Sequence, residues 1–452
     1  MNDMDRLLAD VAQRAATYIA ALPKRGVAPE PKDIARLHTL GGPFPDVPSS
    51  ASEVVALLDE VGSPATLAST GGRYFGYVTG GALPAALAAN WLAAAWDQNA
   101  SLSDMSPVAV ALEGMSLDWL RVIFGLPAAC GAGFTTGATM SNVSCLAAAR
   151  SELLRRAGWD VEEQGLFGAP VLTVIVGAEA HASVRKALSL LGLGRSRVTV
   201  VPADDQGRML SDSLPTLDER TIVCIQAGNV NTGAFDPATE ICGAARKAGA
   251  WVHVDGAFGL WAAASPLRAH LFKGFSEADS WATDCHKWLN VPYDSGLAFV
   301  REAEHLRRAM TVRAAYLAAS ETREPAHYTP EMSRRARGVE VWAALKSLGR
   351  SGLGEMIERS CRLATRFADG LSRAGYAILN HVELNQVLVS FGESEINRRV
   401  IAAVQKDGTC WCSGTEWDGS HVMRISVSSW ATTEADIDRS VDAVVRVARD
   451  RR

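Results

Sequence analysis

The sequence predicts an α/β protein built on a large, mostly parallel sheet. Between residues 171 and 300, short runs of β-branched residues alternate with helical stretches: VLTVIVG, HASVRKALSLLG, VTVVP, TIVCIQAG, WVHVD and GLAFV. This alternation is typical of βαβ units, in which helices cover a sheet buried on both faces. Ligands of such sheets bind at the carboxyl ends of the strands, so the residues that follow each strand are the first candidates for a site.

Composition favours an enzyme that acts on a small molecule. The chain has 452 residues, of which 48% are hydrophobic and 21% are charged, enough for one large core and a smaller one. A formal net charge of -5 gives no basic field for nucleic acid or an anionic membrane. The eight cysteines are scattered, and only Cys410 and Cys412 are close, at a spacing too short for a C-x-x-C zinc or redox motif. We therefore expect reduced thiols, a cytoplasmic protein and no metal site.

The flanking segments predict three parts. Residues 1–75 form an N-terminal helical arm that opens on an amphipathic helix without the apolar core of a signal peptide. Residues 76–315 form the large domain, and residues 316–452 form a smaller C-terminal α+β domain. The Ala-rich stretch at residues 80–96 is interrupted by Pro84 and Asn90, so we expect a buried helix there instead of a membrane span.

Two strand ends carry an amine and a carboxylate. Lys287 follows an apolar stretch in DCHKWLN, an unusual setting for a side chain that is normally solvated. The alternative for Lys287 is a lysine whose stem lies on apolar surface while its amine reaches water. Asp255 ends WVHVD, and small residues after it, Gly256 and Ala257, would let a flat ring approach. The alternative for Asp255 is a helix N-cap.

Two strand-to-helix junctions supply further binding groups. The turn TTGATMSN opens a helix, where the backbone N–H groups of Gly137, Ala138 and Thr139 would bind a phosphate. His181 lies at a second junction and could stack on a flat ring, although helix capping is the commoner role of such a histidine. Together with the amine and the carboxylate, these groups meet the demands of pyridoxal 5'-phosphate (PLP).

The order of these motifs is more specific than any one of them. The phosphate-binding turn comes first in the chain, followed by His181, Asp255 and Lys287. With these groups in this order, the chain resembles the group II pyridoxal-dependent amino-acid decarboxylases, the family of the glutamate and aromatic-amino-acid enzymes. The resemblance runs from about residue 72 to the C-terminus. It depends on the blocks GGRYFGYV, MSPVAVALEGMSLDWL, TTGATMSN, HASVRKA, AGNVNTGAFDP, HVDGAFG, DCHKWLNVPYDSG, SRRARGVEVWAALKSLGRSGL and MRISVSSWATTEADIDRSVDAV.

The resemblance implies a PLP-dependent transferase fold of type I, similar to aspartate aminotransferase, with a seven-stranded sheet. It implies that Lys287 holds PLP as a Schiff base, Asp255 pairs with the ring nitrogen and His181 stacks on the ring. The remaining implied cofactor ligands are Gly137, Ala138, Thr139, Gln226, Ala257, Asp284 and His286. Gln226 stands where relatives commonly have threonine, and residues 229–230 stand where they usually have a Thr-Thr pair, so polar contacts there would differ.

Three further positions concern the substrate, and Tyr316 concerns the reaction. Tyr316 follows Lys287 by 29 residues (316 − 287), the spacing at which relatives carry a loop tyrosine that returns a proton to the substrate carbon. Arg424 matches an arginine that in some relatives binds a substrate carboxylate; a structural salt bridge is the alternative. Tyr77 and Leu102 lie in segments that line the substrate pocket of relatives. For Tyr316, packing in a linker is the alternative.

The expected function is decarboxylation of an L-amino acid to an amine and carbon dioxide by a homodimer. Alternatives on the same fold are an aldehyde-forming oxidative decarboxylase, a carbon–carbon lyase and an aminotransferase. A non-catalytic homologue that binds a partner enzyme is the alternative from another class. The combination of lysine, aspartate and histidine argues against that last alternative.

Overall fold

The computed structural model describes residues 2–311 and 323–450. The chain folds into two compact units. The larger unit comprises Gly80–Thr365 and Asn380–Val387, and the smaller comprises Met1–Thr79, Arg366–Leu379 and Leu388–Arg452. The domain boundaries that we predict at residues 75/76 and 315/316 stay a prediction.

The strands are short and rich in β-branched and small residues. In chain order they are β1 (Gly131–Thr135), β2 (Thr173–Gly177), β3 (Val198–Val201), β4 (Thr221–Gln226), β5 (Trp251–Asp255), β6 (Ser280–Asp284), β7 (Gly296–Val300), β8 (Ala377–Ile378), β9 (Gln386–Ser390), β10 (Ser413–Trp417) and β11 (Ser420–Ser426).

The α-helices lie between and beside these strands. In chain order they are α1 (Asp3–Ala21), α2 (Pro31–Arg36), α3 (Ala51–Ala65), α4 (Pro84–Trp96), α5 (Pro107–Ile123), α6 (Ala138–Arg156), α7 (Val161–Gln164), α8 (Ala182–Leu190), α9 (Ala238–Ala248), α10 (Ala303–Met310), α11 (Gly338–Arg373), α12 (Ser394–Asp407) and α13 (Glu434–Arg449). Helix α11 is interrupted at Gly349, which has a non-helical backbone.

The larger unit contains a seven-stranded sheet in the order β1-β7-β6-β5-β4-β2-β3. The strands from β3 to β6 pair in parallel, and β7 is antiparallel to both of its neighbours. The predicted mostly parallel seven-stranded α/β fold is therefore confirmed. The sequence pattern missed β1, because two of the five residues in GAGFT are glycines, which are depleted in strands.

Helices and strands of the larger unit share one apolar core. Burial on both faces explains why the central strands read as continuous apolar runs instead of alternating ones. Helix α6 runs against the sheet and supplies much of the contact surface. Core members from α6, α8, α10 and the strands include Leu146, Leu153, Val184, Leu188, Leu306, Val174, Val176, Ile222 and Trp251.

The smaller unit contains a four-stranded sheet in the order β10-β11-β9-β8. The pairs β10–β11 and β8–β9 are antiparallel. Helix α1 is the amphipathic helix that the sequence predicts, and it opens with a capping box formed by Asn2 and Asp5. Tyr74 stacks on Trp411 with ring centroids 5.1 Å apart, within a small cluster that includes Val27 and Ala68.

Helix α4 differs from its expected burial. Residues 84–96 form the predicted helix, but within this chain Trp91, Leu92 and Trp96 are 43%, 54% and 42% exposed. Alanine composition indicates a close-packed helix but does not say on which face it packs. No helix in the described part of the chain has both the length and the apolar character that crossing a bilayer requires.

Candidate active site

The candidate site lies at the carboxyl ends of adjacent strands in the larger unit. Gln226 of β4 is in register with Asp255 of β5, and Asp255 is in register with Ala282 near the end of β6. The peptide N–H of Asp284 donates to the carbonyl of Ala257 at 2.8 Å, which ties the two strand ends together. Parallel pairing therefore brings together Gln226, Asp255, Ala257 and Asp284, which the sequence predicts as site residues.

Lys287 follows β6 and reaches back to this edge. Its Nζ lies 2.9 Å from Oδ2 of Asp284, and its side chain is 21% exposed. Burial opposes the charged amine, but the charges of Asp284 and Asp255 outweigh it, so the pKa of Lys287 is raised. Lys287 is thus a largely enclosed amine held by carboxylates at the site, unlike a lysine that extends into solvent.

The start of helix α6 binds a carboxylate. The backbone N–H of Ala138 donates to Oδ1 of Asp284 at 2.5 Å. Gly137 precedes the helix with φ +156°, and an added Cβ would lie 3.2 Å from His286 and 3.3 Å from Asp284. The turn thus brings peptide N–H groups close to the lysine loop, where a helix N-terminus favours negative charge.

The Asp255 carboxylate is buried and receives several hydrogen bonds. Asn142 Nδ2 and Ser183 Oγ each lie 3.3 Å from Oδ2, and the backbone N–H of Ala257 lies 3.2 Å from Oδ1. These donors fit an ionised carboxylate, which accepts and does not donate. The interactions of this carboxylate go beyond an N-cap, the alternative raised by the sequence.

His181 caps helix α8 and is connected to this carboxylate through Ser183. Its Nδ1 lies 2.8 Å from Ser183 Oγ and accepts a longer bond, 3.2 Å, from the Ser183 backbone N–H. The cap that the sequence left as an alternative is therefore present. Since Ser183 also contacts Asp255, the cap places the imidazole beside the same edge of the sheet.

His286 lies beside the lysine and is enclosed by an aromatic ring. Its ring stacks on Tyr293 with centroids 4.3 Å apart, and its Nδ1 accepts from the Ser295 backbone N–H at 3.0 Å. Burial lowers the pKa of His286, although the nearby charge of Asp284 opposes that shift. The imidazole is thereby favoured in its neutral form.

Four further predicted residues are divided between the two units. Thr139 lies in the first turn of α6, and Leu102 is half-buried before α5, both in the larger unit. Tyr77 and Arg424 belong to the smaller unit, where burial lowers the pKa of Arg424 and the nearby Tyr77 opposes that shift. Tyr316 lies outside the described residues.

Sequence reasoning missed the contacts of several residues behind this edge. Asn142, which follows the predicted phosphate turn, points its amide at Asp255. His253 lies two residues before Asp255, on the same face of β5, and contacts Asn142 at 2.9 Å. The H-x-D spacing within a strand was the available signal, because alternate residues of a strand share a face.

The residues present fit PLP. The site has one group for each part of this cofactor. These groups are a lysine amine, a buried carboxylate at the end of the neighbouring strand, and a glycine turn with a helix start that already binds a carboxylate. No group of three or more histidine, cysteine, aspartate or glutamate side chains in residues 2–311 and 323–450 is arranged to hold a metal ion.

Comparison with known proteins gives the family. Residues 63–393 match the pyridoxal-dependent decarboxylase conserved domain. The chain is 26% identical over 347 residues to an aromatic-L-amino-acid decarboxylase of Bacillus atrophaeus, covering 72% of this chain and 70% of the relative. It is 29% identical over 330 residues to an acidic amino acid decarboxylase of Mus musculus, covering 70% of this chain but only 59% of that relative.

Solved structures agree on the fold. A structure described as Oryza sativa TDC with PLP and tryptamine superposes with a TM-score of 0.90 at 21% identity, covering 99% of this chain and 98% of that one. The sheet and the site together define a PLP enzyme of the aspartate-aminotransferase type. The chain belongs to the pyridoxal-dependent decarboxylase family. It is a PLP-dependent amino-acid decarboxylase, and hence a carboxy-lyase.

Proposed function

We propose that Lys287 is the residue that binds PLP covalently, as a Schiff base. The observation that carries this proposal is the enclosed amine at the carboxyl edge of the parallel sheet, which pairs with Asp284 and whose pKa the charge of Asp255 also raises. The amine must lose its proton before it attacks an aldehyde. The Asp284 carboxylate, whose Oδ2 is 2.9 Å from this amine, would keep the amine protonated until PLP binds.

We propose that Asp255 binds the protonated ring nitrogen of the cofactor. When bound, PLP supplies an electron sink for the bond that breaks at the substrate α-carbon. A buried carboxylate with donors from Asn142, Ser183 and the Ala257 backbone is supported as an anion, the form that can hold a proton on a nitrogen. Ala257 and His181 would flank the ring.

We propose that the turn before α6 holds the phosphate. Gly137, Ala138 and Thr139 present backbone N–H groups at a helix start, and His286 lies beside them. The Asp284 carboxylate already accepts the Ala138 N–H, so the phosphate would replace it as the acceptor. Gln226, buried at the end of β4, completes the cofactor ligands that we propose.

We propose that Tyr316 donates a proton to the substrate carbon after carbon dioxide leaves. The proposal is supported by its spacing of 29 residues from Lys287 (316 − 287) and by the suitability of a phenol as a general acid. We further propose Tyr77, Leu102 and Arg424 as substrate-binding residues. Arg424 is buried and cationic, so it would select a substrate that carries a second carboxylate.

The product that we propose is the amine of an L-amino acid. The two relatives described above bear the names of aromatic and acidic amino acid decarboxylases, so both substrate classes belong in the first screen. Carbon dioxide release from each of the common L-amino acids, followed by mass spectrometry of the organic product, tests the proposal. An amine that disappears in Lys287→Ala supports it, whereas an aldehyde or keto acid as the main product would contradict it.

We propose that the enzyme works as a homodimer. Helices α4 and α5 pack together through Ala93 and Ala109, yet their outer faces are strongly apolar and exposed. An exposed patch of this kind marks an interaction surface. The exposed members include Trp91, Leu92, Trp96, Val108, Met115 and Val122.

We propose a cytoplasmic location and a free amino acid as the binding partner, with neither nucleic acid nor membrane bound. All eight cysteines are unpaired, and seven of them are buried, as expected in a reducing compartment. The net charge of -5 gives no attraction to polyanions.

A further inference from the structure

We propose that Asn142, His253 and Ser280 form a hydrogen-bonded relay that positions the Asp255 carboxylate for the cofactor ring. The inference rests on the proposed role of Asp255 and assigns three positioning residues to it. None of the three needs to touch the cofactor. Each acts through the next one along the relay.

The relay is continuous and buried. His253 Nε2 lies 2.9 Å from Asn142 Oδ1, and His253 Nδ1 lies 2.9 Å from Ser280 Oγ. Asn142 Nδ2 then lies 3.3 Å from Asp255 Oδ2, and Trp251 Nε1 lies 2.9 Å from Ser280 Oγ. Asn142, His253 and Ser280 are each 0% exposed.

One direction of donation satisfies every contact. The indole N–H of Trp251 can only donate, so Ser280 Oγ accepts from it and turns its own hydrogen towards His253 Nδ1. His253 must then carry its proton on Nε2 and donate to Asn142 Oδ1. This orientation leaves the Asn142 amide nitrogen facing Asp255, whereas a flipped amide would place oxygen against the carboxylate.

The neutral state of His253 agrees with that direction. Burial lowers the pKa of His253 to about 4, and the charge of Asp255, which opposes the shift, does not overcome burial. A neutral imidazole has one donor nitrogen and one acceptor nitrogen, which is what the two contacts require. The relay thus delivers a donor, and no added charge, to the buried carboxylate.

The relay has a defined consequence for Asp255. Hydrogen bonds to an ionised group are stronger than those between neutral groups, and a chain of them is polarised along its length. Oδ2 receives the Asn142 amide and has Ser183 Oγ at the same distance, while Oδ1 receives the Ala257 backbone N–H. The carboxylate is therefore fixed in one orientation before any ligand arrives.

Nitrogen NMR of the histidine rings in the wild-type enzyme tests the relay. The ring of His253, assigned by its loss in His253→Gln, should show the tautomer protonated on Nε2 between pH 6 and 8 in both the apoenzyme and the PLP-bound enzyme. A ring protonated on Nδ1, or on both nitrogens, would overturn the relay. The tautomer is read on the wild-type enzyme, so the result does not depend on the stability of Asn142→Leu or His253→Leu.

Cofactor affinity tests the consequence. Asn142→Leu and His253→Leu should each raise the Kd for PLP by about tenfold to a hundredfold, the loss expected for a hydrogen bond to a charged group. His253→Gln keeps an amide donor and should restore part of the affinity. Cys145→Ala is the matched control, because Cys145 is equally buried on α6 but its thiol donates to the carbonyls of Trp281 and Phe299 instead of joining the relay.

Asp255→Asn separates the relay from the function on which it rests. The Kd for PLP and the visible absorbance of the bound cofactor should both change in this variant. A change in Asp255→Asn combined with no change in Asn142→Leu and His253→Leu would overturn the relay and leave the proposed function standing. No change in Asp255→Asn would overturn both.

Discussion

At the residue scale, the pKa of Lys287 depends on burial and on two carboxylates. Burial acts to lower the pKa of Lys287, but Asp284 raises it most strongly and Asp255 adds to that effect, so the net shift is upward. The ion pair therefore keeps the amine protonated in the absence of cofactor. Only the neutral amine attacks an aldehyde, so Asp284 sets how fast the enzyme takes up PLP at a given pH.

Replacing Asp284 with asparagine should lower the pKa of Lys287 and move the pH profile of PLP uptake to lower pH. Uptake by the apoenzyme at pH 7.5, followed by the appearance of the bound-cofactor absorbance, should be faster than in the wild type. Asp294→Asn is the control, since Asp294 lies in the same loop but pairs with Arg337. An unchanged pH midpoint in Asp284→Asn would contradict the assigned role.

His253 should make the apoenzyme less stable in mild acid. Its pKa of about 4 in the folded protein lies below the ordinary value of 6.5. The neutral side chain therefore contributes fully to the free energy of unfolding above pH 6.5, and this contribution is lost as the pH falls towards 4. Between pH 7.5 and 5 this loss is about 2 kcal/mol in the free energy of unfolding. Urea titrations of wild type and His253→Gln at both pH values measure it. An equal loss in both proteins would rule out His253 as the cause.

The sequence predicts Lys287, Asp255 and Asp284 as site residues but not the contacts that other side chains make with Asp255. Lysine and aspartate are costly to bury, yet each of these residues comes at the end of an apolar run. That combination can be recognised from the sequence alone. The roles of Asn142, Ser183 and His253 depend on which side chains meet across α6, α8 and β5. No repeating pattern in the sequence indicates which side chains of separate elements meet.

At the scale of elements, the site depends on where β7 meets the turn before α6. An alanine Cβ at position 296 would lie 2.5 Å from the Cα of Gly137. Gly137 belongs to the turn that we propose as the phosphate-binding site, and the absence of a side chain at Gly296 and Gly137 allows strand and turn to approach. The sequence predicted the strand GLAFV and the turn, but not their contact.

Gly296→Ala should displace that turn and weaken PLP binding by about tenfold or more, with a loss of about 1–3 kcal/mol in the free energy of unfolding, as in overpacked cores. Gly243→Ala in α9 is the matched control, because its Cβ would meet nothing within 4 Å. In a helix interior that change should stabilise the protein by up to about 1 kcal/mol. Wild-type affinity for PLP in Gly296→Ala would contradict the account.

The sequence predicts the type of sheet but not the direction and position of every strand in it. Alternating strands and helices specify a parallel sheet with its site at one edge, and the sheet confirms that prediction. The antiparallel direction of β7 was not predictable, because its composition fits either direction of pairing, and the glycines of β1 hid that strand. Helix α6, which follows β1 in the chain, packs against both strands, and that contact has no signal in the sequence.

At the scale of the whole molecule, the isolated chain leaves apolar surface uncovered. The sequence predicts that residues 80–96 are buried, whereas the outer face of α4 is exposed in a single chain. A second copy of the chain would cover this face and reconcile the two results. Composition indicates how much apolar surface a chain has, but not whether its own core or a partner covers it.

Leu92→Glu should shift the enzyme from dimer to monomer, because a carboxylate would have to be desolvated in an apolar contact. Light scattering after size-exclusion chromatography should give the mass of one chain, 48.1 kDa, for this variant and twice that mass for the wild type. Leu190→Glu is the control, since Leu190 is 61% exposed on α8, outside the apolar patch of α4 and α5. A wild-type enzyme with the mass of one chain would contradict the dimer.

Borohydride reduction of the PLP-bound enzyme, followed by peptide mass spectrometry, tests the central claim most directly. Reduction fixes the cofactor on the amine that holds it. The account predicts a phosphopyridoxyl group on the peptide that contains Lys287 and on no other lysine peptide. A label on a different lysine, or no label in an enzyme that still releases carbon dioxide, would contradict it.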